Sequence, residues 1–97
     1  MFYRITIYDF DPSKRDEMYE WANGLKPRLA NIGALEIRTM EYGDASAATI
    51  ACYPSKETAD ASADTAKQAF GEGIAKGYID QSSLKQMSGP VTVDFLA

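Results

Sequence analysis

The stretch from Ala34 to Tyr53 constrains this chain more than any other. Its first arm alternates, with Leu35, Ile37 and Thr39 on one side and Glu36, Arg38, Met40 and Tyr42 on the other, a period of two that a helix cannot use. Gly43, Asp44 and Ala45 supply turn chemistry, and a second arm places Ala48, Ile50 and Cys52 opposite Thr49, Ala51 and Tyr53. The stretch reads as a β-hairpin, and everything before and after it must be placed around that pair of strands.

Phe2 to Phe10 alternates in the same way, Tyr3, Ile5 and Ile7 against Phe2, Arg4, Thr6 and Tyr8, and reads as a first strand. Asp11 followed by Pro12 is a helix start, and Met18, Trp21, Ala22, Leu25, Leu29 and Ile32 then recur at helical spacing. Pro27 predicts a kink in this helix, whose apolar stripe keeps phase across it, with a full break into two short helices as the alternative. After the hairpin, Ser55 is the expected N-cap of a second helix with Ala59, Ala63, Ala66, Ala69 and Phe70 on its buried side. Gly71, Gly73 and Gly77 predict a frayed turn or loop over residues 71 to 78, followed by a short helical turn from Tyr78 to Met87. Gly89 and Pro90 stop it, and Val91 to Ala97 alternates as a final strand. The order is βαββαβ, an α+β chain with a four-stranded antiparallel sheet.

With 97 residues there is material for one domain over residues 1–97. A net charge of −4 disfavours phosphate backbones and anionic lipid, so neither nucleic acid nor a membrane surface is the expected partner. The single cysteine, Cys52, has no intramolecular partner, and the N-terminus enters a strand pattern directly, so a cytoplasmic location is expected. Histidine is absent, which removes the commonest general base and the commonest metal ligand together; no metal site is expected.

Collected by face, Ile5, Ile7, Leu35, Ile37, Ala48, Ile50, Val91, Val93 and Phe95 form a plainly apolar surface, with Tyr3 and Cys52 at its margins, expected to lie under both helices. The other face gathers Phe2, Arg4, Tyr8, Arg38, Met40, Tyr42, Tyr53 and Asp94, too aromatic for a solvated sheet and too charged for a sealed core. A second copy of the chain is the expected cover, with Arg4 and Asp94 pairing across neighbouring strands beneath it. A pocket between helices and sheet is expected to be lined by Tyr3, Trp21, Cys52, Phe70 and Tyr78. The glycine string from Gly71 follows a helix and lacks a Gly-Lys-Ser/Thr ending, so it is not a phosphate loop.

The strand and helix order, the two-faced sheet and the closing VTVDFLA together resemble the dimeric α+β barrel superfamily, and more narrowly its small antibiotic-biosynthesis monooxygenase-like proteins. The resemblance covers nearly the whole chain and rests on pattern. It implies ferredoxin-like subunits whose sheets pack into a barrel across a homodimer, with each pocket between helices and sheet and no cofactor. Monooxygenase and haem-degrading members use an Asn and a Trp, with an Arg or a His. This chain has no Asn in its first strand, no His, and its only Trp on the first helix, so no catalytic residue can be carried over. The resemblance implies a protein binding a small aromatic or quinone-like compound, as a cofactor-independent monooxygenase or, alternatively, as a non-catalytic dimeric binding or accessory domain.

Overall fold

The computed structural model describes residues 1–97. Strands β1 (Phe2–Asp9), β2 (Glu36–Gly43), β3 (Ser46–Tyr53) and β4 (Lys85–Pro90) form one antiparallel sheet in the order β2-β3-β1-β4. Helices α1 (Arg15–Asn23) and α2 (Lys26–Leu29) join β1 to β2, and α3 (Lys56–Ala61) and α4 (Ala63–Ala75) join β3 to β4. The fold is the α+β, ferredoxin-like βαββαβ arrangement that the sequence pattern predicts. No helix is long and apolar enough to cross a membrane.

Local chemistry sets the element ends. Asp11 accepts from the Ser13 amide at 3.0 Å and caps a 3-10 turn at Pro12–Lys14 that leads into α1. The expected kink at Pro27 is instead a break: α1 ends at Gly24, and Pro27, which has no N–H to donate, sits in the first turn of α2. Ser55 caps α3, its hydroxyl accepting from the Thr58 amide at 3.2 Å. The second helical segment divides at Ser62 into α3 and α4.

Two expectations on the C-terminal third are corrected. Residues 71 to 75 are helical, because Gly73 is a packing site and no helix breaker here. A methyl group on it would lie 2.8 Å from the Trp21 ring and 2.7 Å from Ile79. Gly77, at φ +77°, is the residue that ends the segment. The last strand lies at Lys85–Pro90, not at 91–97, and the expected turn over Tyr78–Met87 shrinks to a 3-10 turn at Gln81–Ser83. The Asp80 amide already bonds to the Asp9 carbonyl, so the chain rejoins the end of β1 there, and Pro90 stands opposite Phe2, where β1 begins. After one further bond from Val91 to Met1, β1 has no more ladder to offer. Val93, Phe95 and Leu96 are left exposed, the last two at 90% and 99%.

In β1 and β3 the two faces are the reverse of the expected ones, whereas β2 keeps its expected sides, with Ile37 toward the helices and Arg38 and Met40 away from them. Phe2, Arg4, Thr6 and Tyr8 of β1 are buried on the helix side, together with Ala47, Ala51 and Tyr53 of β3. Tyr3, Ile5, Ile7, Ala48, Ile50 and Cys52 face the other way, with Arg38, Met40 and Met87 beside them by register. A period of two divides residues between faces without saying which face the helices cover. The aromatic side decides here because its long side chains reach the helices and find partners for their polar ends, while Ala47 and Ala51 leave room for them.

Gly73→Ala is predicted to cost about 1–3 kcal/mol by forcing the Trp21 ring and Ile79 apart from α4. Gly71 has open space around its Cα, so Gly71→Ala is predicted to stabilise by about 0.5–1 kcal/mol through helix propensity. Urea unfolding of the two single variants checks both signs.

Candidate functional site

Two packed clusters hold the helices on the sheet. Tyr8, Phe10, Met18, Ala47 and Ile79 form one, and Phe2, Ala51, Tyr53 and Ala59 the other. Between them is a cavity of about 540 Å³ with the sheet as floor and α1, α2 and α4 as roof. Its volume lies in the usual range for small-molecule sites. Most of its lining is hydrophobic.

Aromatic rings form much of the wall. Tyr8 meets Phe70 edge-on, centroids 5.6 Å apart at 69°, and Trp21 leans on Tyr78 at 5.8 Å. The Trp21 indole N–H is buried and makes no hydrogen bond. The Glu72 carboxylate lies close enough to feel that N–H, but its main partner is Arg28, which clamps it with two bonds of 2.9 and 2.6 Å and holds it below the usual carboxylate range. That clamp ties α2 to α4 across the roof.

Hydroxyl groups gather where β1, β2 and β3 meet α1. The Tyr8 hydroxyl is 3.3 Å from Thr49 Oγ1, which is 2.8 Å from Thr39 Oγ1. Tyr19 donates to Glu41, and Arg15 holds the same carboxylate at 3.0 Å. Burial, then the hydrogen bond to Glu41, pushes the Tyr19 phenol up to about 12. Glu41 is lowered in turn, first by the Tyr19 hydroxyl and then by Arg15. A carboxylate engaged twice and held ionised is a weak proton acceptor at neutral pH.

Of the five residues expected to line the pocket, Trp21 and Phe70 lie in the cavity wall and Tyr78 backs the Trp21 ring. Tyr3 and Cys52 do not: they pair in register on the opposite sheet face, where Cys52 Sγ lies 3.8 Å from Met1 Sδ. Among the residues assigned to a dimer face, Phe2, Arg4, Tyr8 and Tyr53 are covered by this chain's own helices, whereas Arg38 and Met40 stand on the open face and Tyr42 is exposed. The expected Arg4–Asp94 pair is absent. Arg4 stands opposite Ser88 and bonds toward α3, while Asp94, in the C-terminal tail, accepts from the Leu96 amide. Thr39, Thr49, Tyr19 and Glu41 carry no mark in the sequence. The expected faces put Thr39 and Thr49 on opposite sides of the sheet, so their pairing in the hairpin gives no sign of the cavity.

No protein-family model and no curated protein matches this sequence. Its fold is shared with solved structures over nearly the whole chain. A monooxygenase of Streptomyces coelicolor, in complex with nanaomycin D, superposes with a TM-score of 0.74 at 16% identity, over 99% of this chain and 91% of that one. An antibiotic biosynthesis monooxygenase gives 0.69 at 12% identity over 96% and 100%. A dimeric ferredoxin-like protein from an uncultured marine organism gives 0.72 at 16% over 97% and 90%. The structural neighbours are thus dimeric α+β barrel proteins of the antibiotic-biosynthesis-monooxygenase type, and at these identities the likeness is one of fold.

The Tyr19 phenol is predicted to remain un-ionised at pH 11, and Glu41→Gln to bring its titration back toward that of an ordinary tyrosine, near pH 10. The difference between absorbance titrations of the wild type and Tyr19→Phe isolates this one phenol among six tyrosines. A Tyr19 that titrates with the exposed tyrosines would contradict the Tyr19–Glu41 hydrogen bond.

Proposed function

We propose that this protein binds a planar aromatic or quinone-like small molecule in the cavity between its helices and its sheet. One observation carries the reading: a cavity of about 540 Å³ whose wall combines Trp21, Phe70, Tyr8 and Tyr19 with the Tyr8–Thr49–Thr39 hydroxyls. Aromatic walls favour a flat ring system, and the hydroxyl cluster suits a ketone or phenol oxygen at its edge. The shared fold of a monooxygenase in complex with nanaomycin D supports the same ligand class.

A second reading adds a reaction. A cofactor-independent monooxygenase would let an electron-rich substrate, such as an anthrone, reduce dioxygen itself. One oxygen atom would become the new ring carbonyl and the other would leave as water with the two hydrogens lost from the carbon. The protein would orient the ring and exclude solvent. Because Glu41 is held ionised and doubly engaged, the geometry favours binding over proton abstraction, and the non-catalytic binding domain is the leading form of the proposal.

The second copy expected from the fold is assigned to the open sheet face. Ile5, Ile7 and Ile50 lie there beside Met40 and Met87, which are 52% and 56% exposed. Two such faces packed together would close a barrel and remove this apolar surface from water.

Titration with anthrone and 1,4-naphthohydroquinone, followed by Trp21 fluorescence, is expected to quench the single tryptophan saturably. Trp21→Ala is expected to weaken binding, read by calorimetry, by about tenfold or more. Absence of binding by the whole panel would overturn the proposal. Oxygen consumption over several turnovers, lost in Trp21→Ala, would decide for the monooxygenase reading over the binding domain. Sedimentation is expected to show a dimer for the wild type and a monomer for Ile50→Glu, which places a charge in the centre of the open face.

A further inference from the structure

A positive charge is buried at the floor of the cavity with no negative charge to meet it. Arg4 is 8% exposed, lines the cavity, and takes part in none of the fold's ion pairs. Its Nη1 donates to the Tyr53 hydroxyl at 3.0 Å and to Ser62 Oγ at 3.2 Å, and its Nη2 donates to the Ala59 carbonyl. The guanidinium also stands 5.2 Å from the centre of the Tyr53 ring. All of these partners are neutral. Of the five guanidinium N–H groups, Nε–H and one on Nη2 have no protein acceptor.

Neutral acceptors satisfy hydrogen-bond geometry without cancelling the charge, and a guanidinium cannot shed its proton to escape the cost of burial. A structural pin between β1 and α3 would be served by a neutral donor. The Arg4 charge is a standing attraction for an anion inside a largely apolar site. The planar fork with two free N–H groups matches a carboxylate.

We propose that the cavity selects an aromatic carboxylate, with the acid group against Arg4. The flat ring would lie along the floor toward the Tyr8–Thr49 hydroxyls, four residues further along β1. That separation is about 13 Å of strand, which accommodates a fused ring system carrying a carboxylate at one end and an oxygen substituent at the other. The proposal rests on the aromatic-cavity reading above and names the substrate class within it.

The test compares 2-naphthoate with its neutral near-isostere 2-naphthamide at pH 7, each titrated against the wild-type protein by calorimetry and Trp21 fluorescence. The charged ligand is expected to bind tighter by about tenfold or more, the usual worth of a hydrogen-bonded charge in a dry site. Arg4→Met is expected to erase that preference while 2-naphthamide still binds. Arg4→Lys, which keeps the charge, is expected to retain a reduced preference. If the amide binds as well as the naphthoate, the carboxylate assignment is overturned while the aromatic cavity stands. If neither ligand binds, both readings fall. The wild-type comparison needs no variant, so it decides the matter even where Arg4→Met folds poorly.

Discussion

The buried guanidinium of Arg4 organises the helix side of this molecule. Its three donated bonds reach β3 through Tyr53, the carbonyl end of α3 through Ala59, and the α3–α4 junction through Ser62. Ser62 also donates to the Ala59 carbonyl at 2.8 Å, closing a small polar network around one cation. Such a network fixes where α3 sits on the sheet only if the guanidinium points toward the helices. That requirement sets the orientation of β1 and, through strict pairing, of every strand in register with it. The inverted faces of β1 and β3 follow from it: Phe2, Thr6 and Tyr8 share the side of Arg4, and Ile5, Ile7 and Ile50 are turned outward.

Once the faces are set, the cavity follows from side-chain size. Ala51 and the small residues of α4, Ala66 and Ala69, bring few atoms between helix and sheet, whereas Phe2 and Tyr53 at one end and Tyr8 and Phe10 at the other fill the gap. The two clusters act as pillars and the space between them stays open. Gly73 lets the Trp21 ring lie against α4, and the Arg28–Glu72 clamp holds α2 over the opening despite the break in the first helical connection. The short helix α2 and that break belong to the roof, so the least regular part of the fold is also the part a ligand would touch.

Much of the fold is legible from residues alone. Alternation in Phe2–Asp9 and in the two hairpin arms, the Asp11 and Ser55 caps and, apart from the exposed Ala63, the Ala stripe of the second helical segment all correspond to observed elements. Where pattern and structure part, the reasons are physical. VTVDFLA carries a strand pattern, yet KQMSGP takes the place beside β1 because the chain rejoins β1 at Asp80 and reaches its end by Pro90. Gly73 reads as a helix breaker because sequence cannot show that an aromatic ring needs the space of its missing Cβ, and Gly71 is carried in the same helix with open space around it. The site is half legible: Trp21 and Phe70 follow from helical spacing, while Tyr3 and Cys52 fall on the wrong side with the inverted faces. Arg4 stands out in the sequence as a charge in an aromatic surface, and only the structure shows it under α3 with neutral partners.

The proposed chemistry turns on a ligand lying on the helix side of the sheet, against Arg4 and Trp21. Chemical-shift mapping on uniformly labelled protein during a 2-naphthoate titration tests this most directly, because it reports the two faces separately. The largest shifts are expected at the Arg4 Nε–H, the Trp21 indole N–H and the amides of Thr6, Tyr8 and Thr49. Shifts confined to Ile5, Ile7, Ile50 and Met87 would place the ligand on the open face and contradict it.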